Sequence, residues 1–416
     1  MIELEVERIA HGGVSVARHD GRVVFVADAI PGERVLAEVN DAGNARYWRA
    51  DTVEVFRASE HRRAHPWAEA SVDRAPGQRA GGAEFGHMTT THQRHLKAEV
   101  LREAMQRMAR LDLPVAVDPV ESALAPTADL ETGTGWRTRV RLHIDDRGVV
   151  GPFAARSHTV VAVDSLPLAV PELADIAPLD GWRGGVGQID VVAPSVGEPF
   201  VAPVASGSER DVPPSLPITE VVDGRAFQLD RGGFWQVHRG AAATLSRAIR
   251  DLTDAELFDP AAPNLDLYGG VGLLAASLGD RFGPATKVTS VESDERATEH
   301  ASTNLQDWIG ARAVTARVEQ YLAELRSQAS AGSLARYERA TVVLDPPRAG
   351  AGRAVIDHLA ALRPAQLLYV ACDPVALARD TATLVEQGYQ LTALQAYDLF
   401  PNTHHLEALA RFTRSV

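Results

Sequence analysis

Cysteine is almost missing from this chain: Cys372 stands alone in 416 residues. A lone thiol excludes an internal disulfide and any structural zinc site built from thiolates. Lysine is nearly as scarce, with Lys97 and Lys287 carrying all of it. The positive charge is therefore arginine, which suits bidentate phosphate contacts, although a high-GC coding bias yields the same composition. No apolar run approaches the roughly 20 residues that span a bilayer. The opening residues, MIELEVERIAHGG, lack the basic and apolar regions of a signal peptide. A cytoplasmic protein with no membrane partner is the expectation. Excess basic charge is absent too: the net charge is −13, which argues against a generic nucleic-acid coat but leaves room for an enzyme with a local RNA footprint.

What is present begins with short alternating runs. Residues 1–58 hold four β-type stretches, Val14–Val16, Val23–Val26, Val35–Val39 and Asp51–Phe56, cut by turn residues such as Gly12-Gly13 and Pro31-Gly32. That spacing predicts a small β-barrel. Residues 58–90 lack apolar periodicity and read as a loop. Thr91–Leu111 is helical, with Leu96, Val100, Leu101, Ala104 and Met108 on one face and Arg94, Lys97, Arg102 and Arg107 elsewhere, a solvated basic face or an RNA contact. In 136–163 a hairpin or meander is expected, along which Arg137, Arg139 and Arg141 alternate and so share one face. Three like charges repel unless a polyanion or acids lie opposite, so RNA contact and a plain solvated face both stay open. Residues 195–216 are Pro/Ser/Gly-rich and read as a loop. The expected organisation is a barrel at 1–58, a linker and central α+β domain at 59–216, and a doubly wound, Rossmann-like α/β domain of about seven strands at 217–416.

In open parallel sheets, sites form beyond the carboxyl ends of the strands. The run Asn264–Tyr268 ends in Gly269-Gly270-Val271-Gly272, where Gly270 and Gly272 let backbone approach a ligand. The next strand closes on Glu292, placed to bind ribose hydroxyls or simply to cap a helix. A G-x-G-x-x-G fingerprint is absent, so S-adenosylmethionine, which has a ribose and no pyrophosphate, fits better than NAD. Val342–Leu344 stops at Asp345-Pro346-Pro347-Arg348, a stiff loop whose acid can accept from a cofactor amine or a base. Leu367–Val370 stops at Ala371-Cys372-Asp373-Pro374, with Asp373 a helix cap and Pro374 the first helical residue. A thiol at a helix N-terminus has a lowered pKa, although most lone cysteines are inert and buried. Glu407 follows Phe400–His405 and supplies a carboxylate, so nucleophile and base together suggest covalent catalysis with proton abstraction.

The segments FWQ (234–236), DLYGGVG (266–272), VESDERA (291–297), VLDPPRAG (343–350), YVACDPVALARD (369–380) and FPNTHHLEALA (400–410) resemble, in order, the motifs of the RNA uridine-5-methyltransferases. The resemblance covers nearly the whole chain and implies a class I methyltransferase fold, with the N-terminal barrel similar to a TRAM domain, an OB-like RNA-binding module. It implies Cys372 as nucleophile on uracil C6 and Glu407 as base at C5. It also implies Gln236, Tyr268, Glu292 and Asp345 around S-adenosylmethionine, beside the loop glycines Gly270 and Gly272. Arg137, Arg139, Arg141 and Arg348 are the candidate RNA contacts. The barrel tilts the expected substrate toward rRNA over tRNA, and a monomer is expected. Departures are visible. Where many relatives bear four iron–sulfur cysteines, this chain has Ala80-Gly81-Gly82-Ala83 and cysteine-free Pro66-Trp67 and Ser165-Leu166-Pro167, so no cluster and no metal are expected. Gly269 replaces a common Cys, expected to be harmless, and Ala371 a usual Ser. The loop Ala316-Arg317-Val318-Glu319 lacks a usual Gly-acid pair, which puts adenine recognition in question. Two rival readings are a methyltransferase acting on an exocyclic amine through Asp345, and a non-catalytic RNA-binding protein.

Overall fold

Turn residues at close spacing fold the first 57 residues back on themselves. The computed structural model describes every residue except 45, 183, 205–215, 329 and 415–416. Strands β1 (Ile2–Ala10), β2 (Val14–His19), β3 (Arg22–Ala27), β4 (Arg34–Asp41) and β5 (Tyr47–Arg57) close into a barrel in the order β1-β2-β3-β5-β4. Alternation sends Leu4, Val6, Val24, Val26, Val35 and Ala37 inward, where they are buried. The β1–β2 turn holds Gly12 and Gly13 at φ of 86° and 76°, a region that side chains disfavour.

The segment after the barrel carries little regular structure, yet it is packed. Trp67, Ala80, Ala83 and Leu166 meet in one buried apolar cluster, so apolar side chains fill the space where the sequence led us to look for cluster cysteines. Helix α1 (Thr90–Ala104) runs on as a π-helical turn at Met105–Ala109 and stops at Arg110, whose φ is 58°. Its apolar face, Leu101 and Met105, shares a core with Leu377 and Leu384 near the C-terminus. Lys97 departs from the expected solvated face: it is 1% exposed and paired with Asp398.

A two-residue strand β6 (Asp118–Pro119) precedes the four-stranded sheet β10-β9-β7-β8, built from β7 (Arg139–Ile144), β8 (Val150–Gly151), β9 (Gly187–Val192) and β10 (Phe200–Pro203), with the short helix α2 (Pro171–Ala174) between β8 and β9. Strand β10 lies in the stretch expected as a loop, and 205–215 of that stretch lies outside the described residues. The hairpin β11 (Pro217–Val222) and β12 (Arg225–Asp230) leads to α3 (Ala241–Leu252).

The C-terminal part alternates β13 (Asn264–Leu267), α4 (Leu273–Phe282), β14 (Val288–Glu292), α5 (Glu295–Asn304), β15 (Ala311–Thr315), α6 (Val318–Gln328), α7 (Ala331–Tyr337), β16 (Thr341–Leu344), α8 (Gly352–Leu362), β17 (Gln366–Ala371), α9 (Pro374–Glu386), β18 (Tyr389–Asp398) and β19 (Glu407–Arg414). The sheet order is β15-β14-β13-β16-β17-β19-β18-β6, eight strands where about seven were expected. The added strand is β6, which pairs with Tyr397 and Asp398 and covers the edge of β18. Two residues carry no pattern, so it was illegible. Every residue of β13, β16 and β17 is buried, as strands covered on both faces require. Alternate residues feed two cores: Val342, Leu344, Leu367 and Tyr369 pack with α6, α8 and α9, whereas Val343, Leu368 and Val370 pack with α3 and α4. Among the described residues, no helix is long and apolar enough to cross a membrane.

Candidate active site

Strand order reverses direction between β13 and β16, and a cavity of about 1170 Å³ opens beyond their carboxyl ends. Gln236, Tyr268, Gly270, Glu292, Asp345, Arg348, Cys372 and Glu407 all line it, as does Arg137. Elements far apart in the chain thus deliver the expected residues to one place. Gly272 does not line the cavity. It starts α4 at a φ of 91°, and a Cβ there would lie 3.1 Å from Leu305, so its part is to let the loop turn and pack.

The glycine loop and Glu292 are tied together. Glu292 accepts from the amide of Gly270 at 3.2 Å and, through its other oxygen, from the amide of Asp294 at 2.9 Å. Asp294, not Glu292, caps α5, accepting from Ala297 at 2.8 Å. The simple capping explanation for Glu292 therefore fails. Tyr268 holds a φ of 62°, unusual for a residue with a side chain and typical of strained loops at sites. Beneath it, Asp266 is fully buried and accepts from Ala275 and Ser290, while its Oδ1 has no partner. Burial pushes its carboxyl up to about 7.

The antiparallel pairing of β17 with β19 sets the chemistry. Its register runs Gln366 to Thr413 through Ala371 to Ala408, so the next step places Cys372 opposite Glu407. Glu407 is 4% exposed, and burial followed by repulsion from Asp345 holds its carboxyl well above the usual range. Asp345 continues β16, its amide bonded to Leu267 O at 3.2 Å, and burial followed by Asp266 pushes it up to about 7. Asp373 caps α9 as expected, accepting from Val375 at 3.0 Å and Ala376 at 2.8 Å. The expected low thiol pKa does not hold. Burial, then Glu407 and Asp345, push Cys372 up to about 12 against the opposing pull of Arg348. Asp373 already occupies the first amides of the helix, so they do not serve the sulfur, and two acids face it instead.

The arginine trio divides. Only Arg137 lines the cavity, donating to Arg139 O at 3.0 Å with its guanidinium over Trp136. Arg139 lies 3.5 Å from Glu220, both nearly buried, and Arg141 forms a two-pronged pair with Asp190 at 2.7 and 2.8 Å. Acids lie opposite both, and Arg139 also donates to the carbonyl of the cavity residue Gly233 at 2.9 Å, whereas the Arg141 side chain is half exposed. Sequence reasoning also missed residues that line it. Glu84 binds His404 through both the amide and ring nitrogens, and Asp230 takes Arg296 and His300. Their segments carry no local pattern that could have marked them. Phe234 was visible in its motif and stands 77% exposed on the cavity wall. Ala316, Arg317 and Glu319 of the altered loop line it as well.

Residues 259–414 match the family model described as tRNA (Uracil-5-)-methyltransferase. An RNA methyltransferase of Streptomyces avermitilis is 37% identical, the alignment covering 98% of this chain and 97% of that protein. The 23S rRNA (uracil(1939)-C(5))-methyltransferase RlmD of Pseudomonas fluorescens is 29% identical, with 99% and 94% covered. The crystal structure of the tRNA (uracil-54, C5)-methyltransferase of Pyrococcus abyssi, in complex with S-adenosyl-L-homocysteine, superposes with a TM-score of 0.68 at 20% identity over 99% of both chains, a likeness of fold along the full length. On these grounds the chain belongs to the RNA uracil-5-methyltransferase family.

Proposed function

We propose that this enzyme methylates C5 of a uridine in RNA, with S-adenosylmethionine as methyl donor, Cys372 as nucleophile and Glu407 as base. The observation that carries the reading is the β17–β19 register, which sets Cys372 opposite Glu407 in the cavity that Gln236, Tyr268, Gly270, Glu292 and Asp345 also line. The cavity suits the donor: Glu292 and Asp345 flank an open glycine loop, where a Cβ on Gly270 would meet nothing within 4 Å. A ribose and a cation are matched there better than a pyrophosphate. Bound, the donor supplies an electrophilic methyl group on a sulfonium.

The residues then have separate tasks. Cys372 gives up its proton to solvent water, and the resulting thiolate adds to C6 of the uracil, pushing electrons through the ring to C5. Once C5 has taken the methyl group, Glu407 removes its remaining proton, and the returning electrons expel the Cys372 sulfur. Glu407 must be ionised for that step, and burial works against its charged form, whereas a cationic donor beside it would favour that form. Arg137 and Arg348 line the cavity and would hold phosphates of a strand whose uridine is turned out of its stack. Three functional units are inferred, the barrel 1–58 and central 59–216 as RNA-binding parts and 217–416 as catalytic domain, in a cytoplasmic monomer. Similarity to the Pseudomonas enzyme over nearly the whole chain favours rRNA over tRNA.

The test uses RNA carrying 5-fluorouridine, from which the C5 substituent cannot leave as a proton. A methyl-donor-dependent covalent adduct at Cys372 is expected, and Glu407→Gln should trap the adduct on ordinary RNA as well. If Cys372→Ala instead retains methylation, the reaction is on an exocyclic amine through Asp345 and this reading falls. Nucleoside mapping of rRNA and tRNA from a deletion strain identifies the substrate: loss of 5-methyluridine from tRNA alone would overturn the rRNA assignment.

A further inference from the structure

The thiol has a second approach. A smaller cleft of about 150 Å³ also reaches Cys372, Arg348 and His405, between α1 and the tip of the barrel, with His11, Gly12 and Gly13 on its wall. The barrel is firmly seated there. Ile9 and Ile30 share a buried cluster with Phe85, Met88 and Leu96, and Arg8 reaches Glu103 on α1 at 3.4 Å. At the tip, the Nε2 atom of His11 lies 2.9 Å from Asp373 Oδ2, bridging 362 residues of chain. Gly13 lies so close to His404 that a Cβ would be 2.7 Å from that side chain, and its φ of 76° also calls for glycine.

Asp373 thereby splits its two oxygens between two elements. Oδ1 accepts from the amides of Val375 and Ala376 and fixes the start of α9, whereas Oδ2 goes to His11. Its neighbour in sequence is the nucleophile. Removing either anchor frees the carboxylate to rotate and the Cys372 loop to shift, and displacements of about 1 Å in a reacting group cost on the order of a hundredfold in rate. We propose that the β1–β2 turn of the barrel is a wall of the active site, with His11 a positioning residue that holds Cys372 through Asp373 and narrows the second approach to the thiol. Reaction at the nucleophile then depends on the barrel being seated, which links an N-terminal module to chemistry at the far end of the chain.

This inference rests on the proposed reaction, and the experiment separates the two. In the full-length enzyme, His11→Ala should lower kcat about tenfold while the KM for S-adenosylmethionine stays within about twofold. His11→Gln, whose amide can still donate to Asp373, should recover most of the loss. Because Cys372 is the single cysteine, its rate of alkylation by iodoacetamide, read by mass spectrometry without RNA or cofactor, should rise severalfold in His11→Ala. Glu386→Ala, on the surface at the far end of α9 beside Arg353 at 3.2 Å, serves as control and should match wild type in both assays. The proposal is overturned if His11→Ala keeps wild-type kcat and alkylation rate, if only the KM for RNA changes, or if Gln is as impaired as Ala. Wild-type enzyme that methylates no uridine would instead overturn the proposed reaction, with the alkylation comparison still deciding the role of the turn.

Discussion

The hydroxyl of Tyr369 donates to Asp380 Oδ2 at 2.7 Å, and the same oxygen accepts from the amides of Ala351 at 2.8 Å and Gly352 at 3.2 Å. One buried carboxylate on α9 thus ties the strand that ends at Cys372 to the loop that begins at Asp345. Asp380→Ala would take this acceptor from three donors at a position that is 1% exposed, the Ala351 amide alone keeping a second bond, to the Tyr369 hydroxyl oxygen at 3.0 Å. Each such group costs roughly 1–3 kcal/mol, partly recovered by water entry, so about 3 kcal/mol of stability should be lost. Tyr369→Phe removes two bonds, the one given to Asp380 and the one accepted from Ala351, but that amide keeps Asp380, so the cost should be about 1 kcal/mol. Urea unfolding midpoints check both, and equal midpoints for Asp380→Ala and wild type would refute the network's role.

The raised carboxyl of Asp345 makes stability depend on pH. Its ordinary pKa is 3.8 and its folded value is about 7. Between these values the folded protein binds more protons than the unfolded chain, so stability falls as pH rises through that window and levels off above it. Asp345→Asn removes the charge that has to be buried. The variant should gain on the order of 2 kcal/mol at about pH 8 and nothing near pH 4, while losing affinity for the methyl donor. Denaturant unfolding at the two pH values tests this, and an equal gain at both would rule out the charge as its cause.

Lys97 and Asp398 form a buried ion pair at 2.6 Å, and the lysine also donates to Phe400 O at 3.1 Å. Their side chains are 0% and 2% exposed. Breaking such a pair leaves one charge buried alone, so Lys97→Met should cost about 3–5 kcal/mol. Replacing both with apolar residues, Lys97→Met with Asp398→Leu, should return most of that loss. A double-mutant cycle in thermal or chemical unfolding gives the coupling, and additive losses would show that the two charges do not depend on each other.

How far the sequence could be read follows from these pairs. Asp345 and Cys372 were legible because each ends an apolar run at a proline, a local signal that the parallel sheet turns into a site. Asp373 and Pro374 were legible as a cap for the same reason. The thiol's environment was not, since it depends on Glu407 and Asp345 arriving from other strands. Arg139, Arg141 and Lys97 read as solvated or RNA-facing because their partners Glu220, Asp190 and Asp398 lie elsewhere in the chain. Local pattern fixes which face a residue occupies, but only the assembled fold tells what lies across from it. His11 is the extreme case, a barrel residue whose partner is Asp373.

Gly269 shows the same limit within a motif. As a replacement for a common cysteine it looked interchangeable, yet a Cβ there would lie 2.0 Å from Ser290 Oγ and 2.7 Å from Asp266 Oδ2. Both neighbours are buried, Ser290 at 1% and Asp266 at 0%. A side chain at 269 must therefore displace the hydroxyl that Asp266 accepts from, or Asp266 itself. Overpacking of this kind costs about 1–3 kcal/mol, so Gly269→Ala should destabilise by that amount and weaken binding in the cavity above. Ser290→Ala removes the 2.0 Å contact, so the double variant Gly269→Ala with Ser290→Ala should be more stable than Gly269→Ala alone. Thermal unfolding of the three variants decides it: if Ser290→Ala only adds to the loss, the clash is relieved by movement elsewhere and Ser290 is not what restricts position 269.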